Sequence, residues 1–233
     1  MDVTSHIPHL SAYWLKTMLH KRGLEKPTFK PLFTYQLTDT EYQELKVVLK
    51  RQSASGERIK NQPWCAVFCL FCSEWYRREY QAGWSWDGIW EALGYKVEAN
   101  QRPSLIEKGF VYWGRRINRY ESERNDYLGS IFSEGGLPFG LLASEGSRFQ
   151  QLFKKLLGEF DKAKSFGVSP IPLIQNQLER MPDAFKQDTT VLLLNEMVER
   201  LYGFIDHYEL DTQSDPVMHL DHSLPLWRTS FPL

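Results

Sequence analysis

The sequence predicts an all-α fold, an irregular multi-helix bundle with an N-terminal arm and a Pro-containing C-terminal tail, and three patterns carry that expectation. Phe149, Leu152, Phe153, Leu156, Leu157 and Phe160 recur at intervals of 3, 1, 3, 1 and 3, which draws one apolar face along an amphipathic helix. Across residues 184–208, Val191, Leu194, Val198, Leu201, Ile205 and Tyr208 alternate spacings of 3 and 4. Over so few heptads that pattern means packing within a bundle rather than a dimeric coiled coil. Thr38-Asp39-Thr40-Glu41 has capping-box form, and Tyr42, Leu45 and Leu49 follow it at helical spacing.

Each element follows in turn. Residues 1–37 carry Pro8, Pro27 and Pro31 among scattered aromatics, so only residues 10–19 read as helix, and the segment is an arm packed on the body. The capping-box helix ends in the Ser53-Ala54-Ser55-Gly56 loop. A second helix starts at Asn61, with Pro63 in its first turn where a missing N–H costs nothing. It runs to Gly83 and is apolar on most sides. Ser85 caps a short helix whose stripe is Trp86, Ile89, Trp90 and Leu93, closed by Gly94. Residues 104–113 fit a helix through Leu105, Ile106, Phe110 and Trp113, although 110–113 also fit a strand; the helix is the reading taken. A helix over 126–132 meets Glu134-Gly135-Gly136-Leu137-Pro138, read as a turn. A shorter helix covers 173–179. Beyond residue 210 the chain is polar and carries Pro216, Pro225 and Pro232, yet ends in apolar Leu224-Pro225-Leu226-Trp227 and Phe231-Pro232-Leu233. Either that end folds back, or it opens a linker to further domains. The expected organisation is an arm at 1–37, a helical body at 38–209 and an irregular tail at 210–233.

Composition narrows the class. With 42% apolar and 14% aromatic residues the chain can fill a core. Lys plus Arg number 28 against 29 Asp plus Glu, so no global field marks a nucleic acid, an anionic membrane or an acidic substrate, and such a partner must meet a local patch. The N-terminus lacks a basic region leading into an apolar run, and no apolar stretch is long enough to span a bilayer. Three cysteines crowded into one helical segment are the opposite of a disulfide framework, so a reducing cytoplasm is the expected compartment.

Two strings look like metal sites and are set aside. Cys65, Cys69 and Cys72 match the spacing with which radical S-adenosylmethionine enzymes hold a four-iron cluster. Those thiolates must converge from a loop, whereas here i, i+4 and i+7 form one apolar stripe of a helix, and cysteine is a good small core residue. His219-Leu220-Asp221-His222 resembles part of the HxHxDH signature of metallo-β-lactamase-like hydrolases, with Asp206, His207, Asp211 and Asp215 nearby. Val217 replaces its first histidine, so a solvated acidic loop is the better reading. Gly135-Gly136 has no following Lys-Ser/Thr and is not a phosphate loop, and no hydrolase elbow or zinc-protease motif occurs. No cofactor is expected.

The basic run carries more. Over residues 102–124, the six positives Arg102, Lys108, Arg115, Arg116, Arg119 and Arg124 face three acids, Glu107, Glu121 and Glu123, a local charge of +3. Arginines interleaved with Trp113 and Tyr120 suit phosphate contacts combined with stacking; the alternative is an ordinary charged surface paired with Glu121 and Glu123. Arg115, Arg116, Arg119 and Arg124 are therefore the candidate nucleic-acid-binding residues.

Trp113-Gly114-Arg115-Arg116, Glu121-Ser122-Glu123-Arg124-Asn125-Asp126-Tyr127-Leu128 and Ser133-Glu134-Gly135-Gly136-Leu137-Pro138 together resemble the N-terminal region of the large YjiT-like proteins. Those proteins are encoded beside a big helicase in bacterial anti-phage islands of the Druantia type. The resemblance covers most of this chain but only the beginning of such a protein, and it brings no catalytic signature. It implies a role in bacterial defence against phage, as an assembly or nucleic-acid-sensing part working with that helicase; joined to the readings above, the expectation is a cytoplasmic, non-enzymatic interaction module of antiviral defence that binds a protein partner and DNA or RNA through the arginine segment. Membrane binding is not expected. The competing expectations are an iron–sulfur or metal-dependent enzyme built on the three cysteines, and a purely structural scaffold domain of a larger protein.

Overall fold

A helix that is apolar all round has to be surrounded, and one such helix organises the first part of this chain. In the computed structural model, the described residues are 10–51, 60–119 (except 82 and 84), 124–138, 151, 152, 155, 167, 169–181, 185, 186 and 188–207. Among them are eight helices, one 3-10 turn and one minimal hairpin. They are α1 (Leu10–Lys21), the 3-10 turn (Leu32–Tyr35), α2 (Asp39–Arg51), α3 (Gln62–Glu79), α4 (Asp87–Leu93), α5 (Arg102–Trp113), β1 (Asn118–Arg119), β2 (Asn125–Asp126), α6 (Tyr127–Gly135), α7 (Ile171–Leu178) and α8 (Asp188–His207). The all-α expectation holds. Residues 1–135 and 136–233 form two compact units.

In the first unit every residue of α3 from 64 to 77 is buried, and α1, α2, the 3-10 turn, α5 and α6 all pack on it. Its start is as the sequence predicts: the Asn61 side chain accepts the Trp64 N–H at 3.2 Å, and Pro63 stands in the first turn. The helix stops at Glu79, one turn short of the expected Gly83. Along it run stacked rings, Trp64 on Phe68 (5.7 Å), Phe68 on Trp90 (6.0 Å) and Trp90 on Trp86 (5.3 Å), capped by the Arg102 guanidinium 5.1 Å from the Trp90 ring. Each such pair contributes about 0.5–1.5 kcal/mol beyond the area it buries.

Residues 104–113 are helical, and Leu105, Ile106, Phe110 and Trp113 all face the core. The α3–α5 crossing is close because Gly109 has no side chain. A Cβ there would sit 2.4 Å from Cys69 Sγ and 2.5 Å from the Cys65 carbonyl oxygen. The Trp113 indole N–H reaches back to the Ala66 carbonyl at 3.0 Å.

Two expectations are corrected, the turn at Gly135 and the buried position of Val191, and one element, a hairpin, had no counterpart among them. Gly135 belongs to α6 rather than to a turn, because α6 lies so near α3 that a Cβ at Gly135 would stand 2.5 Å from the Ser73 carbonyl oxygen. The turn begins at Gly136, whose φ is +77°. Residues 118–119 pair antiparallel with 125–126, a hairpin too short and polar to leave an alternating pattern. In the second unit, α7 packs on α8, and the buried face of α8 is Thr190, Leu193, Leu194, Met197, Val198 and Leu201, with Val191 only half-buried. The helix expected over 149–160 falls mostly outside the described residues, although Gln151, Leu152 and Lys155 are helical. The Ser53-Ala54-Ser55-Gly56 loop and residues 208–233, including His219-Leu220-Asp221-His222, lie outside them as well. Among the described residues no helix is long and apolar enough to cross a membrane.

The capping box forms with both reciprocal bonds: Glu41 N–H donates to Thr38 Oγ1 at 3.2 Å, and Thr38 N–H to Glu41 Oε2 at 3.0 Å. Glu41 is buried and also receives both Nη groups of Arg22, at 3.0 and 2.6 Å. The Arg22 hydrogen bonds hold its carboxyl below the ordinary glutamate range, against a smaller opposing effect of burial. A depressed carboxylate stabilises the fold above its unfolded value, about pH 4.3, and that stability drains away as pH falls through the folded value. The urea midpoint of the wild type should therefore drop on acidification below about pH 4.3 by more than that of Glu41→Gln. Gly109→Ala should destabilise by about 1–3 kcal/mol through overpacking, read in the same titration at neutral pH.

Candidate nucleic-acid interface

The basic segment begins where α5 ends. Gly114, at φ +65°, closes the helix in a Schellman arrangement: Arg115 N–H bonds the Phe110 carbonyl at 2.8 Å and Gly114 N–H the Val111 carbonyl at 3.2 Å. That reversal aims Arg115 back over the body. Its Nε donates to Glu134 Oε1 at 2.7 Å and its Nη1 to the Phe29 carbonyl at 2.9 Å. Glu134 is buried, and its other oxygen accepts the Leu32 N–H at 2.9 Å. Burial raises the Glu134 carboxyl above the ordinary glutamate value, while Arg115 and the Leu32 N–H pull it down. Arg115 thus joins the end of α5, α6 and the segment before the 3-10 turn.

Arg116, Arg119 and Arg124 are exposed. Arg119 sits on β1 opposite Asn125, and Arg124 immediately precedes β2, one residue from that pair. The hairpin is anchored. Asn118 N–H donates to Ser130 Oγ at 2.8 Å, Ser130 Oγ donates to the Asp126 carbonyl, and the buried Asp126 carboxylate takes the Gly129 N–H at 2.8 Å in the first turn of α6. Tyr120, Glu121 and Glu123 lie outside the described residues. Trp113, read as a stacking partner for the arginines, is fully buried and packs inward on Tyr35, with ring centroids 5.0 Å apart and planes tilted by 52°.

A side chain not singled out by the sequence stands at the same place. Phe29 is 61% exposed and has φ +61°, a left-handed backbone that an aromatic residue rarely adopts and that costs about 1–3 kcal/mol. Its ring lies against Gly114, where a Cβ would lie 1.7 Å from Phe29 Cδ1. Gly114 is the signal in the sequence: a glycine ending an apolar helix marks a left-handed cap, though not what rests on it.

The three cysteines lie where a core filler would. All are fully buried, Cys65 and Cys69 against Gly109, and the Cys69 thiol points at the Ile106 carbonyl. Burial pushes Cys65 up to about 11 and Cys69 and Cys72 well above the ordinary thiol value, so the thiols stay protonated. A thiolate is the form that ligates or attacks.

Removing Arg115 leaves the buried Glu134 carboxyl without its guanidinium partner. Arg115→Met should destabilise by about 2–4 kcal/mol, below the full effect for a buried pair because Arg115 keeps 22% of its side chain exposed. Arg115→Met/Glu134→Gln should recover part of that loss in urea denaturation.

Comparison with known proteins fits this division of the chain. The YjiT N-terminal domain matches residues 4–137 and the YjiT second domain matches residues 144–233. Protein YjiT of Escherichia coli (strain K12) is 40% identical over 225 residues, covering 94% of this chain and 43% of that protein. The chain therefore spans less than half the length of that relative. No solved structure matches. Two consecutive domain matches and that degree of identity place the chain in the YjiT family.

Proposed function

We propose that this chain is a non-enzymatic interaction module of a bacterial anti-phage defence system, and that it contacts the phosphates of DNA or RNA through Arg116, Arg119 and Arg124 while docking a protein partner. The observation that carries the reading is the display of three exposed arginines on a short connector and a hairpin fastened to the body by Ser130 and Asp126. Guanidinium groups on an anchored support reach phosphate oxygens with little further ordering, and phosphate contact needs no base sequence. Arg115 is the positioning residue, since its bonds to Glu134 and Phe29 set where the segment leaves α5. The buried carboxylates Glu41, Glu74 and Glu134 are each engaged by an arginine, which gives them a part in holding the fold. The defence role and the helicase partner come from the family resemblance alone.

Phosphate binding releases counterions, so affinity falls with salt, by about 0.9 in log–log slope per phosphate on duplex DNA. The triple variant Arg116→Ala/Arg119→Ala/Arg124→Ala should bind labelled DNA and RNA more weakly and flatten that slope by up to about 3, read by fluorescence anisotropy over a salt series. Binding and slope unchanged in a variant that melts like the wild type would remove the patch and leave the scaffold reading.

A further inference from the structure

The exposed large apolar side chains among the described residues are Tyr13, Phe29, Val47, Val111 and Leu192. Four of them lie on the outer faces of regular helices; Phe29 does not. Its backbone is in the left-handed region, its carbonyl is gripped by Arg115 Nη1 at 2.9 Å, and its ring rests against Gly114 while the side chain stays largely exposed. The ring is thus held outward rather than left over. Its surroundings are basic: Lys30 follows it and is exposed, Arg116 stands two residues beyond the glycine seat, and β1 with Arg119 begins two residues later.

We infer that Phe29 is a stacking platform for an unpaired base, so that the ligand of this surface is single-stranded nucleic acid. The inference rests on the nucleic-acid reading of the arginine patch and adds the substrate class to it. An aromatic face beside cations fits a polyanion that carries flat rings, and every base has a π-face, so such a seat is tolerant of sequence. In a duplex those faces are hidden between neighbouring pairs, and a phenyl ring on a protein surface cannot reach them without unstacking the helix. A single strand offers both at once, phosphates to Arg116, Arg119 and Arg124 and a splayed base to Phe29. The Arg115–Glu134 pair is then the support of the seat, because it fixes the carbonyl of the residue that stacks.

The test compares Phe29→Ala, Phe29→Gly and Phe29→Trp in the full chain, by anisotropy with a labelled oligothymidylate and with a duplex of equal length. Glycine accepts the left-handed backbone without strain, so Phe29→Gly removes the ring while sparing the fold, which a thermal melt verifies. The alanine and glycine variants should lose roughly 5- to 150-fold in single-strand affinity, the equivalent of about 1–3 kcal/mol for one stacked base at 1.4 kcal/mol per decade. Duplex affinity and salt slope should stay at wild-type values, and Phe29→Trp should restore single-strand binding. Wild-type single-strand affinity in both truncations, or equal losses on single strand and duplex, overturns the platform. If the triple arginine variant loses binding in that case, the patch survives; if the wild type binds neither probe, both readings fall together.

Discussion

The constraint on which the first unit depends is that α3 has no side it can show to water. Its apolar residues need cover in every direction, which α1, α2, α5, α6 and the 3-10 turn supply. The same helix brings Glu74 and Arg77 into the interior, and a buried charge is tolerable only when paired and hydrogen-bonded. Arg77 Nη2 bonds both Glu74 oxygens at 2.7 Å, and Arg78 Nε adds a third bond to the same carboxylate at 2.9 Å. Burial on all faces therefore dictates an ionic lattice as well as an apolar core.

That lattice extends into the segment before α2. Among the described residues four arginines each pair with a carboxylate and also donate to main-chain carbonyls of residues 29–37. Arg115 holds Phe29; Arg77 reaches Phe33 at 3.4 Å; Arg22 takes Tyr35 at 2.6 Å and Gln36 at 3.3 Å; Arg78 bonds Leu37. The carboxylates Glu134, Glu74, Glu41 and Asp39 orient those guanidinium groups. A stretch with only one turn of 3-10 helix thus has its carbonyls satisfied from outside, the requirement any irregular segment over a core must meet.

The local rules were legible where partners lie close in sequence. Thr38 with Glu41, and Asn61 with Trp64 behind Pro63, announce helix starts because each bond spans three residues. The apolar faces of α2, α4 and α5 could be read for the same reason. Long-range facts were not. Gly135 reads as a breaker until α3 is known to pass within a methyl group of it, and Arg115 reads as one more cation in a basic run until α6 presents Glu134 to it from 19 residues away. Phe29 left no trace, since nothing near it in sequence shows that Gly114 will be its floor. Within the candidate interface the charges were visible, and the geometry that sorts a brace from a displayed cation was not.

A grip on main-chain oxygen is indifferent to the side chain that oxygen belongs to. The route taken by residues 29–37 is consequently encoded in arginines on other elements, and only Leu32, Tyr35 and Leu37, buried beneath it, tie the stretch to the interior through their own identity. Outward positions such as Lys30, Thr34 and Gln36 can change without releasing any clamp. Path and lettering are thereby uncoupled, and this edge of the molecule can alter what it presents while keeping where it presents it.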